Sequence, residues 1–225
     1  MKPFTLHIAE GIRGNPRNQI YSKEVLITSC ESLRDAVCFD HTEGCFKDNH
    51  RSTQNFISAD VLMMDCDNTH SEDSSKWLTP EKLALRLPRV EFYVVHSRNY
   101  MKDKYKEDRD GNCVISCTAR PRFHVYFALC DVITDAKEIR RLKEAILRII
   151  PEFDAGAKDA ARFFFGVSSP HCEENRGERC IDNYVLIEDV NEHEIMSAEH
   201  VKEEACKKEQ NAEELFSDLL KDGSE

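Results

Sequence analysis

The chain has 225 residues and a formal net charge of −11, with 40% hydrophobic and 32% charged residues. This composition is typical of a globular protein that can bury a core, and no apolar run approaches the ~20 residues that span a bilayer. Residues 188–225 hold 13 acidic residues and 4 lysines, a net −9, which leaves −2 for residues 1–187. The acidity therefore does not exclude a nucleic-acid substrate, although any basic groove has to be local.

The first 58 residues are predicted to form an N-terminal αβ module. Short strands are expected at 5–8 and 24–28, and a helix at 32–37 with Ser32 as its N-cap. The segment 46–56 is polar. It is expected to connect this module to the more regular centre of the chain.

The centre of the chain, residues 59–187, alternates between strand and helix patterns. The expected elements are strands at 61–66, 92–96, 123–129 and 163–167, a helix from Thr79 that ends before Pro88, a hairpin turn at Asp110-Gly111, and a long helix capped by Thr134. This order is typical of the split βαβ arrangement, ferredoxin-like and RRM-like, whose first and third strands are neighbours. We therefore predict an α/β (α+β) protein: this core packed with the N-terminal αβ module, the fourth strand beside the first, and an acidic helical tail or linker at 188–225.

Two carboxylates end the first central strand. Asp65 and Asp67 lie two residues apart, so they point to the same face of the strand. Neighbouring acids repel each other unless a cation or solvent reaches them. The pair predicts a site that holds Mg²⁺ or Mn²⁺ against phosphate oxygens. The alternative is two solvated acids at the start of a polar loop.

A polar row also runs along the third central strand. Arg122, His124 and Tyr126 share one face, and that face is expected to lie beside the acid pair. Imidazole and guanidinium groups next to metal-binding acids can hold a nucleoside triphosphate. The alternative is a structural histidine.

A third polar group precedes the fourth strand. Asp154 can supply a third metal carboxylate, while Arg162 can neutralise phosphate charge or form an ion pair with Asp159. Three acids and a histidine on adjacent strands are typical of two-metal phosphoryl transfer.

These segments together resemble the archaeo-eukaryotic primase superfamily, in particular the primase-polymerase domains of phages, plasmids and integrative elements. The resemblance spans about residues 40–170 and is carried by Leu-Met-Met-Asp65-Cys-Asp67-Asn68, Arg-Phe-His124-Val-Tyr, Phe-Asp154 and His96-Ser97-Arg98-Asn99. The sequence departs from the family in having Arg122 where a small residue often stands. Asp159 is a second candidate for the third acid.

The resemblance implies a nucleotidyltransferase, a DNA-directed primase and DNA polymerase. It implies that Asp65, Asp67 and Asp154 bind two Mg²⁺ or Mn²⁺ ions and that His124 contacts the incoming nucleotide. The other nucleotide-binding candidates are Ser97, Arg98, Arg122 and Arg162. The implied partners are a single-stranded DNA template, nucleoside triphosphates and a helicase module, either in a C-terminal region or in a separate protein, because this sequence has no Gly-x-x-x-x-Gly-Lys-Ser/Thr loop.

Two weaker patterns concern nucleic acid and zinc. Lys47, Arg51, Lys102 and Lys104 are candidate template contacts, although interleaved acids are equally consistent with a solvated loop. The candidate set for a structural Zn²⁺ is His171, Cys172, Cys180, Cys113 and Cys117. Zinc is not expected, because these spacings match no standard ligand pair.

A non-catalytic nucleic-acid-binding module is the open alternative. It would be an RRM-like RNA-binding domain or a degenerate primase fold used for origin binding. A rolling-circle nuclease is disfavoured, because its His-x-His metal motif does not occur. With neither a secretory signal nor an expected membrane partner, the protein is expected in the cytoplasm of a bacterial host of the mobile element.

Overall fold

The structure, a computed structural model, describes residues 1–108 and 111–185. Residues Met1–Tyr184 form one compact unit. The predicted acidic tail, residues 188–225, lies outside the described residues. Among those described, no helix has the length and apolar character needed to cross a membrane. The elements are β1 (Phe4–Ile8), β2 (Lys23–Ile27), α1 (Cys30–Ala36), β3 (His41–Thr42), β4 (Cys45–Phe46), β5 (Phe56–Cys66), α2 (Pro80–Arg86), β6 (Phe92–His96), β7 (Lys104–Glu107), β8 (Cys113–Cys117), β9 (Phe123–Ile133), α3 (Ala136–Ile149), β10 (Phe163–Phe164) and β11 (Cys172–Asn175).

The strands form two antiparallel sheets and a separate hairpin. The N-terminal sheet has the order β10-β3-β1-β2, the central sheet has the order β11-β6-β9-β5-β4, and β7 pairs with β8. In the central sheet β5 and β9 are paired neighbours, and β9 also pairs with β6. The predicted α/β class and the adjacency of the first and third central strands are therefore confirmed.

The two sheets enclose a common hydrophobic core. Leu6 and Ile8 of the N-terminal sheet lie in one buried cluster with Met63, Val95 and Tyr126 of the central sheet. Because side chains alternate across a strand, the residues between these point to the opposite face. Helix α3 contacts β5 and β9. One face of the central sheet is therefore covered by the N-terminal sheet rather than open to solvent.

A buried ion pair joins helix α3 to the segment between β3 and β4. Lys143 of α3 and Glu43 have fully buried side chains, and Nζ and Oε1 are 2.5 Å apart. The other carboxylate oxygen of Glu43 accepts a hydrogen bond of 2.6 Å from the backbone N–H of Met63. Buried charges are tolerated only when paired and hydrogen-bonded. The pair therefore fixes β5 at Met63, close to the C-terminal end of the strand.

Three local predictions were wrong. The fourth strand is only the two residues of β10, and it pairs with β3 of the N-terminal sheet instead of β5. The free edge of β5 is taken by β4, a pairing favoured by the short connection between them. Ser29, not Ser32, caps α1, and Ser32 completes its capping box. Asp135, not Thr134, caps α3.

Other local predictions are confirmed. Strand β6 has the predicted bounds, and α2 is capped by Thr79 with Pro80 in its first turn. A hairpin forms where Asp110-Gly111 predicted one. Of these two residues only Gly111 lies among those described, and its φ is 81°.

Candidate active site

The candidate site lies where β5 ends and its antiparallel neighbour β9 begins. Their antiparallel register places Asp65 opposite His124 and Met63 opposite Tyr126. Met63 and Tyr126 lie in the core between the sheets. Asp65 and His124 lie two residues away on their strands, on the same face of the sheet. His124 Nε2 is 3.7 Å from Asp65 Oδ1. The alternation of β5 and β9 therefore presents an acid and an imidazole at the rim of the covered face.

This rim borders a pocket of about 420 Å³. Most of its lining side chains are acids, nitrogen donors or aromatic rings, and Ser97 and Pro16 complete it. The lining residues are Asp65, Asp67, Ser97, Arg98, Asn99, Lys104, His124, Arg162, Phe163, Phe164, Phe165 and Pro16. A pocket with charged donors beside carboxylates and an aromatic wall suits an anionic ligand with flat rings.

Asp67, which lines this pocket, contacts two cationic side chains. Lys104 of the β7–β8 hairpin donates a 2.7 Å hydrogen bond to Asp67 Oδ2. Arg122 Nε lies 3.8 Å from the other carboxylate oxygen. The next residue, Asn68, has a φ of 51°, and its amide group bonds the backbone of Leu78 and Pro121. This left-handed turn directs the chain away from the strand directly after the acid.

Asp154 joins the site through its backbone as well as its side chain. Its N–H donates a 2.7 Å hydrogen bond to the carbonyl oxygen of Asp65. Arg162 Nη2 lies 3.7 Å from Asp65 Oδ2 and 3.6 Å from Asp154 Oδ2, so one guanidinium connects the two acids. The exposed Asp159 instead accepts a hydrogen bond from the N–H of Ala161. Of the two candidates for the third acid, the geometry favours Asp154.

Burial shifts the proton equilibria of the two residues at the centre of the site. Burial and then the charge of Asp67 raise the pKa of Asp65 to about 7, although Arg162 opposes the shift. Burial, followed by the nearby His41, Arg162 and Arg98, lowers the pKa of His124 well below its usual value. His124 is therefore a neutral imidazole at physiological pH. Its ring stacks on Phe164 with centroids 3.9 Å apart.

The donor set fits a hard divalent cation. Three carboxylates on converging backbone segments supply the oxygen ligands that Mg²⁺ and Mn²⁺ prefer. Burial and the charges of Asp67 and Asp154 outweigh Arg162 and Lys104 in raising the pKa of Asp65, and a bound cation would favour the ionised form of this carboxyl. No carboxylate of Asp65, Asp67 or Asp154 belongs to any trio of ligand atoms within 4.8 Å among the described residues. Lys104 and Arg162 instead neutralise these acids in this structure.

The Ser97-Arg98 segment lies on the side of the pocket facing β10. Ser97 follows β6 and is held by a hydrogen bond from its N–H to the carbonyl oxygen of Arg122. The guanidinium of Arg98 lies over the ring of Phe165, 4.0 Å from its centroid. Ser97 and Arg98, both predicted to bind the nucleotide, therefore line the same pocket as Asp65 and Asp67.

Arg122 was predicted to bind the nucleotide, but in the structure it does not line the pocket. Its side chain is fully buried, and its terminal nitrogens donate to the carbonyl oxygens of Asn99, Lys102 and Thr118 and to the Cys117 sulfur. Arg122 thus joins the loops behind Asp67. The small residue of the family pattern would leave this position without such contacts.

The weakly predicted basic residues have separate environments. Lys104 lines the pocket, whereas Lys47 and Lys102 are exposed outside it. Arg51 packs over the ring of Phe163 at 4.4 Å from its centroid and does not line the pocket. Only one of the four therefore borders the acids.

The predicted zinc set is dispersed. Cys113 is exposed on β8, Cys117 accepts a hydrogen bond from Arg122, Cys172 Sγ lies 2.7 Å from Cys30 Sγ, and Cys180 lies with Cys130 and Asp182. The structure therefore does not bring those five residues together at one point within its described part.

Pro16 lines the pocket but was not predicted from the sequence to do so. Asp40, fully buried, accepts hydrogen bonds from the N–H groups of Gly14, Asn15 and Gly166. This acid fixes the loop that carries Pro16 next to the strand that carries the aromatic wall. No local pattern marks Pro16 as a pocket residue, because its position depends on contacts distant in sequence.

This chain is similar in structure to a domain of a phage protein. No protein-family model and no curated protein sequence matches this chain. The fold is similar to the archaeo-eukaryotic primase domain of the primase-polymerase from cyanophage S-2L. That similarity has a TM-score of 0.43 at 15% identity and covers 82% of this chain and 86% of the phage domain.

Proposed function

We propose that this chain is a DNA primase-polymerase that transfers nucleotidyl groups to a 3′-hydroxyl in a metal-dependent, template-directed reaction. The observation that carries the proposal is the meeting of Asp65 and Asp67 with Arg98 and Arg162 around one pocket, to which Asp154 is joined through Arg162. Acids alone would repel a triphosphate, and cations alone would only bind it. Both together allow metal ions to be held against phosphate oxygens.

The three acids would hold the two Mg²⁺ or Mn²⁺ ions. When bound, such ions lower the pKa of the attacking hydroxyl and stabilise the leaving pyrophosphate. Lys104 and Arg162, which neutralise the acids in this structure, would then be available to phosphate oxygens. This exchange of partners avoids leaving any carboxylate without positive charge.

The nitrogen donors would position the incoming nucleotide. Arg98 and Arg162 supply guanidinium groups that match phosphate oxygens, and Ser97 adds a hydroxyl to the same pocket. His124 is neutral and faces the acid with Nε2, so it can make a hydrogen bond to the nucleotide without adding charge. A single-stranded DNA template, nucleoside triphosphates and a helicase module remain the proposed partners, and a mobile element in a bacterial cytoplasm the proposed setting.

The RRM-like alternative conflicts with the packing of the sheets. RNA-recognition sheets bind bases on an open face through exposed aromatic rings. Here the corresponding face of β5, β9 and β6 is covered, and Tyr126 is fully buried with its hydroxyl 2.7 Å from His41 Nε2. The degenerate primase fold used for origin binding remains the second candidate, because Lys104 and Arg162 already neutralise the acids.

The test is primer extension and de novo synthesis on single-stranded DNA with Mg²⁺ or Mn²⁺. Wild-type protein is compared with Asp65→Asn, Asp67→Asn and Asp154→Asn, which preserve shape while removing charge. Asp159→Asn is the matched control, since it removes an exposed acid five positions from Asp154 and keeps an acceptor for Ala161. Binding of labelled single-stranded DNA is measured for every variant.

We expect metal-dependent products from the wild type and the control, and losses of at least about a hundredfold in the three site variants. Equal loss with Asp159→Asn would transfer the third-acid role to Asp159. Absence of product from folded wild-type protein, with DNA binding indifferent to metal and to all four substitutions, would support the origin-binding candidate instead.

A further inference from the structure

A second cluster of metal-ligating side chains lies on the other face of the central sheet. His96 Nε2 is 3.1 Å from Glu173 Oε1, and His171 Nε2 is 3.3 Å from the same oxygen. The ligand atoms of all three residues lie within 4.8 Å of one another. Two imidazoles and a carboxylate thus converge on one point.

Strand pairing explains this convergence. Val95 pairs with Cys172 in the β6–β11 register, and the N–H of His96 bonds the carbonyl oxygen of His171. The two histidines therefore face each other across the strands, and Glu173, two residues after His171, shares their face. His124 pairs with Val95, so it lies on the opposite face, with the acids of the candidate active site.

The spacing matches a tetrahedral transition-metal site. Zinc–nitrogen and zinc–oxygen bonds of ~2.0–2.1 Å at tetrahedral angles place neighbouring ligand atoms ~3.3 Å apart. The two measured distances to Glu173 Oε1, 3.1 and 3.3 Å, agree with that separation. We propose that His96, His171 and Glu173 bind Zn²⁺, or a divalent transition metal of similar preference, with a fourth position open to solvent.

The surroundings favour a cation at this point. Tyr100 stacks on His96 with ring centroids 3.5 Å apart and planes within 3°, which fixes the imidazole orientation. Glu81 adds negative charge nearby. The side chain of His171 is 62% exposed, which leaves a path from solvent.

A metal here would have a structural consequence for the other face. It would connect the end of β6 to β11, and Ser97 and Arg98 follow His96 directly into the candidate active site. The zinc site itself stands independently of the proposed polymerase function, because its ligands take no part in that pocket.

The experiment is metal binding by the full chain, with Zn²⁺ and Co²⁺ as probes in excess Mg²⁺ to occupy all-oxygen sites. Wild type is compared with His171→Ala and Glu173→Gln. His70→Ala is the matched control, because His70 is also exposed and bonds only the carbonyl oxygen of Lys76 among the contacts described. Circular dichroism checks that each variant is folded.

We expect one Co²⁺ with the visible absorption of a four-coordinate ion and without a sulfur charge-transfer band, and a rise in Tm on adding Zn²⁺. His171→Ala should weaken this binding at least tenfold, Glu173→Gln should also weaken it, and the control should match wild type. Equal binding by wild type and His171→Ala, or a purely six-coordinate cobalt spectrum in wild type, would overturn the proposal. If His171→Ala does not fold, the wild-type spectrum and Glu173→Gln decide.

Discussion

Replacing Asp65 by Asn should stabilise the metal-free protein while removing its proposed activity. Burial and Asp67 raise the pKa of this carboxyl from 3.8 to about 7, so ionised Asp65 is disfavoured in the folded state. Roughly three pKa units at ~1.36 kcal/mol each correspond to at most ~4 kcal/mol. Asparagine keeps the shape of the side chain and carries no charge.

The pH dependence follows from the sign of the shift. A raised folded-state pKa means that the stabilising effect of the protonated carboxyl is complete below pH 3.8. It is lost as the pH rises to about 7. The stability difference between Asp65→Asn and wild type should therefore be largest above that pH and shrink towards zero near pH 4.

Urea unfolding in EDTA at several pH values measures this difference directly. Adding Mn²⁺ should stabilise the wild type and leave Asp65→Asn nearly unchanged, because the variant lacks one of the three proposed ligands. Asp159→Asn, at an exposed position, should match the wild type throughout. If Asp65→Asn were no more stable than wild type above pH 7 without metal, the raised pKa of Asp65 and the destabilisation by its buried charge would both be refuted.

Three further substitutions test the supporting structure. Lys143→Met should cost about 3–5 kcal/mol in urea unfolding, because it leaves Glu43 charged and buried, and adding Glu43→Gln should recover much of that loss. Additive losses in this cycle would contradict the pairing. His124→Ala should reduce nucleotide incorporation about 10- to 100-fold, measured as kcat/KM, with primer binding retained; unchanged kinetics would remove it from the site. Gly166→Ala should lower the unfolding midpoint, because its Cβ would lie 2.5 Å from the carbonyl oxygen of Cys38, and an unchanged midpoint would refute that close approach.

The zinc proposal and the polymerase proposal can fail separately. His171→Ala is predicted to affect cobalt coordination, whereas Asp65→Asn is predicted to affect catalysis and the Mn²⁺ response. The two sites occupy opposite faces of the central sheet, since His96 and Val95 are consecutive on β6. Loss of one property without the other is therefore the expected pattern.

The sequence by itself determined the local features of the site. Alternation at the end of β5 and the start of β9 determined that Asp65 shares a face with Met63, and that His124 shares one with Tyr126. Asp67 lies one residue beyond β5 and lines the same pocket as Asp65. Thr79 and Pro80 marked the start of α2, because capping requires only residues next to each other in the chain. Such signals are readable because they depend on backbone geometry over a few residues.

Only the tertiary structure decided which distant segments complete the pocket. Strand β10 joins the N-terminal sheet, Lys104 reaches Asp67, and Arg162 lies between two acids. The pairing of His96 with His171 likewise depends on β11 adding to the edge of β6. A two-residue strand or a single long side chain carries no periodic signal in the sequence. Its partner depends on which sheet edges and which charges remain unpaired after the larger elements have packed.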